Sequence, residues 1–109
     1  MNAASARTYD PQVKGSSIEN LWVLLVPEGQ AKTPMLASAG GGLYLLAFRT
    51  GFTARKFMTD SGTTAAEPRM VVGSIASEIL ATVGGKNVAG ILVDYDFTTN
   101  AYREASLMY

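Results

Sequence analysis

Residues 34–48 read Pro-Met-Leu-Ala-Ser-Ala-Gly-Gly-Gly-Leu-Tyr-Leu-Leu-Ala-Phe, and the glycines at their centre decide how the chain on either side is read. Pro34–Ala39 and Leu43–Phe48 both have the composition of extended segments. Glycine reaches the positive φ values of a tight turn without a Cβ clash. Two such segments joined by Gly40-Gly41-Gly42 therefore predict an antiparallel hairpin. Pro34 suits the start of its strand, where a missing N–H is tolerated.

Working outward, Leu21-Trp22-Val23-Leu24-Leu25-Val26 is apolar throughout and is closed by Pro27 and Glu28-Gly29. A run without polar alternation predicts a strand over 21–27 buried on both faces, with Trp22 as a core anchor. The polar stretch 28–33 reads as a loop. After the hairpin, Phe52, Ala54, Phe57 and Met58 outline a short helix with Thr50 or Thr53 near its cap. Residues 59–68 read as a loop, and Met70-Val71-Val72 as a further short strand. Ile75, Ile79 and Val83 recur at helical spacing with Ala76 and Leu80 beside them, so a helix is predicted over 74–84, capped by Ser74 and stopped by Gly84-Gly85. Val88–Phe97 alternates Ile91, Val93, Tyr95 and Phe97 on one side with Leu92, Asp94 and Asp96 on the other, a strand whose second side becomes solvated. For 100–109 a helix with Tyr102, Ala105 and Tyr109 on one face is favoured over a strand folded back across Thr98-Thr99-Asn100. The polar, unpatterned residues 1–18 read as a flexible tail, leaving 19–109 as a single domain.

These elements predict an α/β (α+β) fold in two layers: a mixed or mostly antiparallel sheet of four to five strands, one main helix, and one or two short helices. The stretch Gly42-Leu43-Tyr44-Leu45-Leu46-Ala47-Phe48-Arg49-Thr50, with Ala54 and Phe57 after it and the helix-then-strand ending, resembles the SseB-type N-terminal domain family. The resemblance covers residues 20–97. It departs from the family at the last strand, which reads Val93-Asp94-Tyr95-Asp96 where the family often has an Asn-Pro step. It implies a mixed α/β domain and no particular activity.

Composition excludes more than it assigns. The chain has 109 residues, no cysteine and no histidine, so it has no disulfide, thiolate or imidazole chemistry and no zinc site built on those ligands. Nine bases balance nine acids; nucleic-acid affinity rests on a basic excess, so no nucleic-acid partner is expected. No apolar run approaches membrane-spanning length, and a cytoplasmic protein without membrane partners is the expectation. Six of the bases lie in residues 1–56 and six of the acids in 57–109, a polarity able to orient an encounter.

Candidate chemistry is sparse. The glycine run lacks both the GxGxxG-to-helix pattern and a following Lys-Ser/Thr, so the hairpin reading stands over a phosphate loop. Asp94 and Asp96 share a strand face and are the candidates for a metal or for acid–base work, with no third ligand at fixed spacing. No serine has a lysine at S-x-x-K spacing. The interleaved aromatics and bases at Arg49, Phe52, Arg55 and Lys56 form the candidate binding surface, against the plainer reading that Phe48 and Phe57 are core while the bases solvate a short helix. The expectation is a non-catalytic protein–protein interaction or regulatory domain with no cofactor. Two alternatives stand beside it. One is a homo-oligomeric structural module, such as a homodimer in which Leu107-Met108-Tyr109 packs against a second copy. The other is a carboxylate enzyme or metal binder using Asp94 and Asp96.

Overall fold

The computed structural model describes residues 7–9 and 18–105. The strands are β1 (Arg7–Tyr9), β2 (Trp22–Glu28), β3 (Ala31–Pro34), β4 (Leu36–Ala39), β5 (Gly42–Ala47), β6 (Glu67–Met70), β7 (Val88–Val93) and β8 (Tyr102–Ala105). Helix α1 (Gly51–Ser61) precedes β6 and α2 (Ser74–Gly84) follows it. The result is an α+β fold with a five-stranded mixed sheet, β1-β8-β7-β5-β4, and a three-stranded antiparallel sheet, β3-β2-β6.

The glycine hairpin forms as the sequence predicts. β4 and β5 pair antiparallel from Ala39↔Gly42 to Leu36↔Leu45, and Gly40 and Gly41 turn at φ 56° and 85°, the two positive values that a type I′ connection needs. β5 then runs parallel to β7, Leu45 opposite Ile91 and Ala47 opposite Val93. Parallel neighbours need a long crossover, and α1, β6 and α2 supply it. The two sheets are joined where Phe48 bridges Trp22: the Trp22 N–H donates to the Phe48 carbonyl at 2.6 Å and the Phe48 N–H to the Trp22 carbonyl at 2.8 Å.

Both faces of the central strands are covered. Val23, Leu45, Ala47, Ile91 and Val93 pack with Ala76, Ile79 and Val83 of α2. Leu24, Leu46, Phe48 and Leu92 pack with Ala54 and Phe57 of α1. Successive strand residues point to opposite faces, so adjacent apolar residues enter different clusters, and the expected two-sided burial near Leu21–Val26 holds for Val23 and Leu24. Trp22 is only half-buried, against the second cluster.

Several expectations need correcting. The segment 34–39 is two elements. Pro34 ends β3, which pairs back on β2 from Glu28↔Ala31, and Met35 kinks the chain while bonding to both Leu24 and Leu46. Residues 28–33, read as a loop, are thus a hairpin turned at Gly29, φ 63°. The short strand expected at 70–72 is β6, which lies earlier at 67–70. The cap of α2 is Gly73 at φ 58°, with no side-chain bond; a serine would be strained in that conformation, so Ser74 becomes the first helical residue. At α1 the expectation holds: Thr50 caps, its hydroxyl accepting from the Thr53 N–H at 3.1 Å.

The strand expected to reach Phe97 stops at Val93, because Asp94 takes φ 56° and breaks the ladder. The helix favoured over 100–109 is instead β8, antiparallel to β7 with Val93 opposite Arg103. The Asp96 carboxylate accepts from the Thr98 N–H and hydroxyl and shapes the reversal, and Tyr102 stacks on Tyr95 with centroids 5.7 Å apart. An isolated helix of such length is marginal in water, whereas the strand gains a full ladder partner; residues 106–109 lie outside the described residues. Of the span read as a tail, residues 1–6 and 10–17 also lie outside. Arg7–Tyr9 pairs parallel with β8 and Ile18 is fully buried, so ordered structure begins before residue 19.

On the smaller sheet, Glu67 of β6 bonds Lys32 of β3 and its neighbour Arg69. The Lys32 hydrogen bond first, and then that from Arg69, hold the Glu67 carboxyl down at about 2, against an ordinary 4.5. A lowered folded-state pKa stabilises above the unfolded value and is lost as pH falls through the folded one. The melting temperature of the wild type is therefore expected to fall more than that of Glu67→Gln between pH 4.5 and about 2. The excess is small and shrinks in about 1 M salt, because the group is exposed. Parallel acid titrations of the two proteins, followed by circular dichroism, measure it; coincident curves would show that the triad contributes nothing.

Candidate functional site

The four residues of the candidate surface come together where β5 ends and α1 begins. Ala54 and Phe57 turn inward from α1, and helical spacing puts Phe52, Arg55 and Lys56, at i, i+3 and i+4, on one outward side. Phe52 is 75% exposed, the most of any large apolar side chain among the described residues. Phe48 and Phe57 are core, with ring centroids 5.6 Å apart.

The cations around Phe52 are not loose. The Arg49 Nε donates to Asp94 Oδ2 at 2.9 Å, and the Arg49 backbone N–H donates to Asp94 Oδ1 at 2.9 Å. The Arg55 guanidinium stands 5.9 Å from the Trp22 ring centroid. Gly51 makes room for that stacking: a Cβ there would lie 2.8 Å from Arg55 Nη1 and 3.3 Å from the indole. The Lys56 Nζ bonds Asp60 Oδ2 at 2.6 Å, one helical turn on, and this hydrogen bond raises the Lys56 pKa. Each positive group is thus held by a partner that the fold provides. Arg49 and Asp94 pair within one chain.

Asp94 and Asp96 both line a shallow cavity of about 80 Å³, with Thr53, Lys56, Phe57 and Asp60 of α1 and with Tyr95 and Phe97. Their hydrogen bonds go to different partners. Asp94 is taken up by Arg49 and by the Thr53 hydroxyl at 3.4 Å. Asp96 is taken up by Thr98, whose hydroxyl chiefly, and N–H next, lower its pKa. That direction opposes a general acid, which needs its proton at neutral pH. Among the described residues no group of three or more acidic side chains is placed to hold a metal ion.

Phe97 belongs to this surface although the sequence placed it on a strand face. It is 48% exposed and meets Phe57 edge-on at 6.1 Å. The legible signal was Lys56 and Asp60 at i,i+4 on a helix; nothing local marked Phe97, whose position depends on β7 ending at Val93. No protein-family model matches the chain, and no curated protein matches it.

Proposed function

We propose that this chain is a non-catalytic protein–protein interaction or regulatory domain that engages its partner through the outward side of the first turns of α1. The exposure of Phe52 carries the reading: a phenyl ring three-quarters in water, on a helix whose own apolar side is already buried, adds nothing to the core. Aromatic and arginine side chains dominate interface energies when an anchor is desolvated among charged neighbours. Arg55 on Trp22 and Lys56 on Asp60 are already ordered, which reduces the side-chain entropy lost on binding. The partner is a protein surface with an apolar pocket for Phe52 rimmed by acids.

The zero net charge favours a protein over nucleic acid. No helix among the described residues is long and apolar enough to cross a membrane, and a cytoplasmic setting accompanies the proposal. So does kinship with SseB-type N-terminal domains, supported by Ala54 and Phe57 being the buried pair on α1.

Phe52→Ala is expected to retain the wild-type melting temperature and to lose partner binding by roughly thirtyfold, the effect of an anchor worth about 2 kcal/mol. Affinity capture from the native cell, repeated with the variant, measures it. Arg55→Ala should weaken capture most at low salt, and the deficit should shrink as salt screens the lost charge. Arg49 is left intact in this test, because its loss would perturb Asp94. Undiminished capture by Phe52→Ala sinks the proposal.

A further inference from the structure

The strands at the sheet margins carry very different side chains. β3 (Ala-Lys-Thr-Pro) and β6 (Glu-Pro-Arg-Met) bound the smaller sheet. Each has a proline and at least one charge, the devices that keep an edge from pairing with another chain. β4, one margin of the five-stranded sheet, is Leu36-Ala37-Ser38-Ala39. It has no charge and no proline, and its register with β5 is unbroken. The turn at Gly40-Gly41 makes Ala39 and Gly42 the closing bonded pair. Alternation along the ladder then directs the N–H and C=O of Leu36 and Ser38 away from β5.

We infer that β4 pairs antiparallel with β4 of a second copy of this chain, across a two-fold axis, so that one sheet runs through a homodimer. Two-fold pairing sets the same few residues against themselves, and like charges directly opposite are destabilising. β4 is the margin that meets this condition with none of its residues charged. Alanines at 37 and 39 admit close approach of a facing strand. Leu43, 37% exposed on β5 beside Ser38, extends the uncharged margin. With nine acids and nine bases the chain has no net repulsion between copies. None of the α1 surface residues takes part, so dimerisation and partner binding are separable.

The test uses the full chain in sedimentation velocity across a wide concentration range, with Ser38→Lys and Ser38→Pro beside the wild type. Ser38 is exposed, so lysine leaves the β4–β5 ladder in place while setting like charges opposite in the dimer; proline removes an outward donor. The wild type is expected to dimerise, and both variants to dissociate at concentrations roughly tenfold higher or more, with the circular dichroism of Ser38→Lys unchanged. In hydrogen exchange, the Leu36 and Ser38 amides of the wild type should slow as concentration rises. A wild type monomeric throughout, or a folded Ser38→Lys that dimerises equally well, overturns the inference. So does concentration-independent protection of those two amides, which would mean that another part of the same chain covers β4.

Discussion

Phe48→Ala is expected to lower the unfolding free energy by about 3–5 kcal/mol, the range for deleting a buried phenyl ring. The ring has no exposure and is among the largest of the fully buried side chains. It packs on Phe57 of α1 in the cluster that also holds Leu24, Leu46 and Leu92, so three strands and a helix line the void. The same residue's backbone ties β5 to Trp22 and hence the two sheets to each other. A cavity there loosens the junction as well as the packing. Domains of this size have about 5–15 kcal/mol in total, so the variant should be partly unfolded at room temperature or close to it. Phe48→Leu, which fills most of the volume, should recover most of the loss. Urea denaturation of the three proteins decides the matter. A loss for alanine below about 1 kcal/mol would mean that the site collapses freely and that the Phe48–Phe57 contact is not a support of the core.

The second large effect belongs to Asp94, which holds Arg49 and Thr53. Asp94→Ala removes the acceptors of the Arg49 N–H and Nε and of the Thr53 hydroxyl, and it leaves a Cβ-bearing residue at φ 56° without a polar side chain to favour that region. Hydrogen bonds to a charged group contribute about 1.5–3 kcal/mol, so a loss of about 2–3 kcal/mol is expected. Two companions separate the causes. Asp94→Gly relieves the backbone but restores no acceptor, and Asp94→Asn keeps an acceptor and tolerates positive φ but loses the charge. The expected order of damage is alanine, then glycine, then asparagine. Equal losses for alanine and glycine would remove backbone strain from the account, and an asparagine as damaging as alanine would place the whole effect in the Arg49 ion pair. Thermal melts at low and moderate salt supply the comparison.

The local readings that succeeded share one property: their cause lies within a few residues. Gly40-Gly41 could only turn, because positive φ at both positions is open to glycine and closed to most residues. Ile75, Ile79 and Val83 marked α2, and Thr50 marked the start of α1, because periodicity and capping act over one or two helical turns. Consecutive apolar residues in β2 announced burial on both faces without naming what would cover them. The tertiary structure chose the partners. Lys32 and Thr33 look like loop residues until β2 offers them a ladder, and Tyr102 fits a helix until β7 and Tyr95 offer it a strand and a stacking partner. Arg49, Arg55 and Lys56 were legible as a cluster, but the Arg49–Asp94 bond spans 45 positions and no local pattern encodes it. Side chains so far apart meet only after loop-closure entropy has been overcome by the core between them, so sequence determined the turns, the periodicities and the inventory of charges, while the packed β5–β7 pair decided which of those charges became structure.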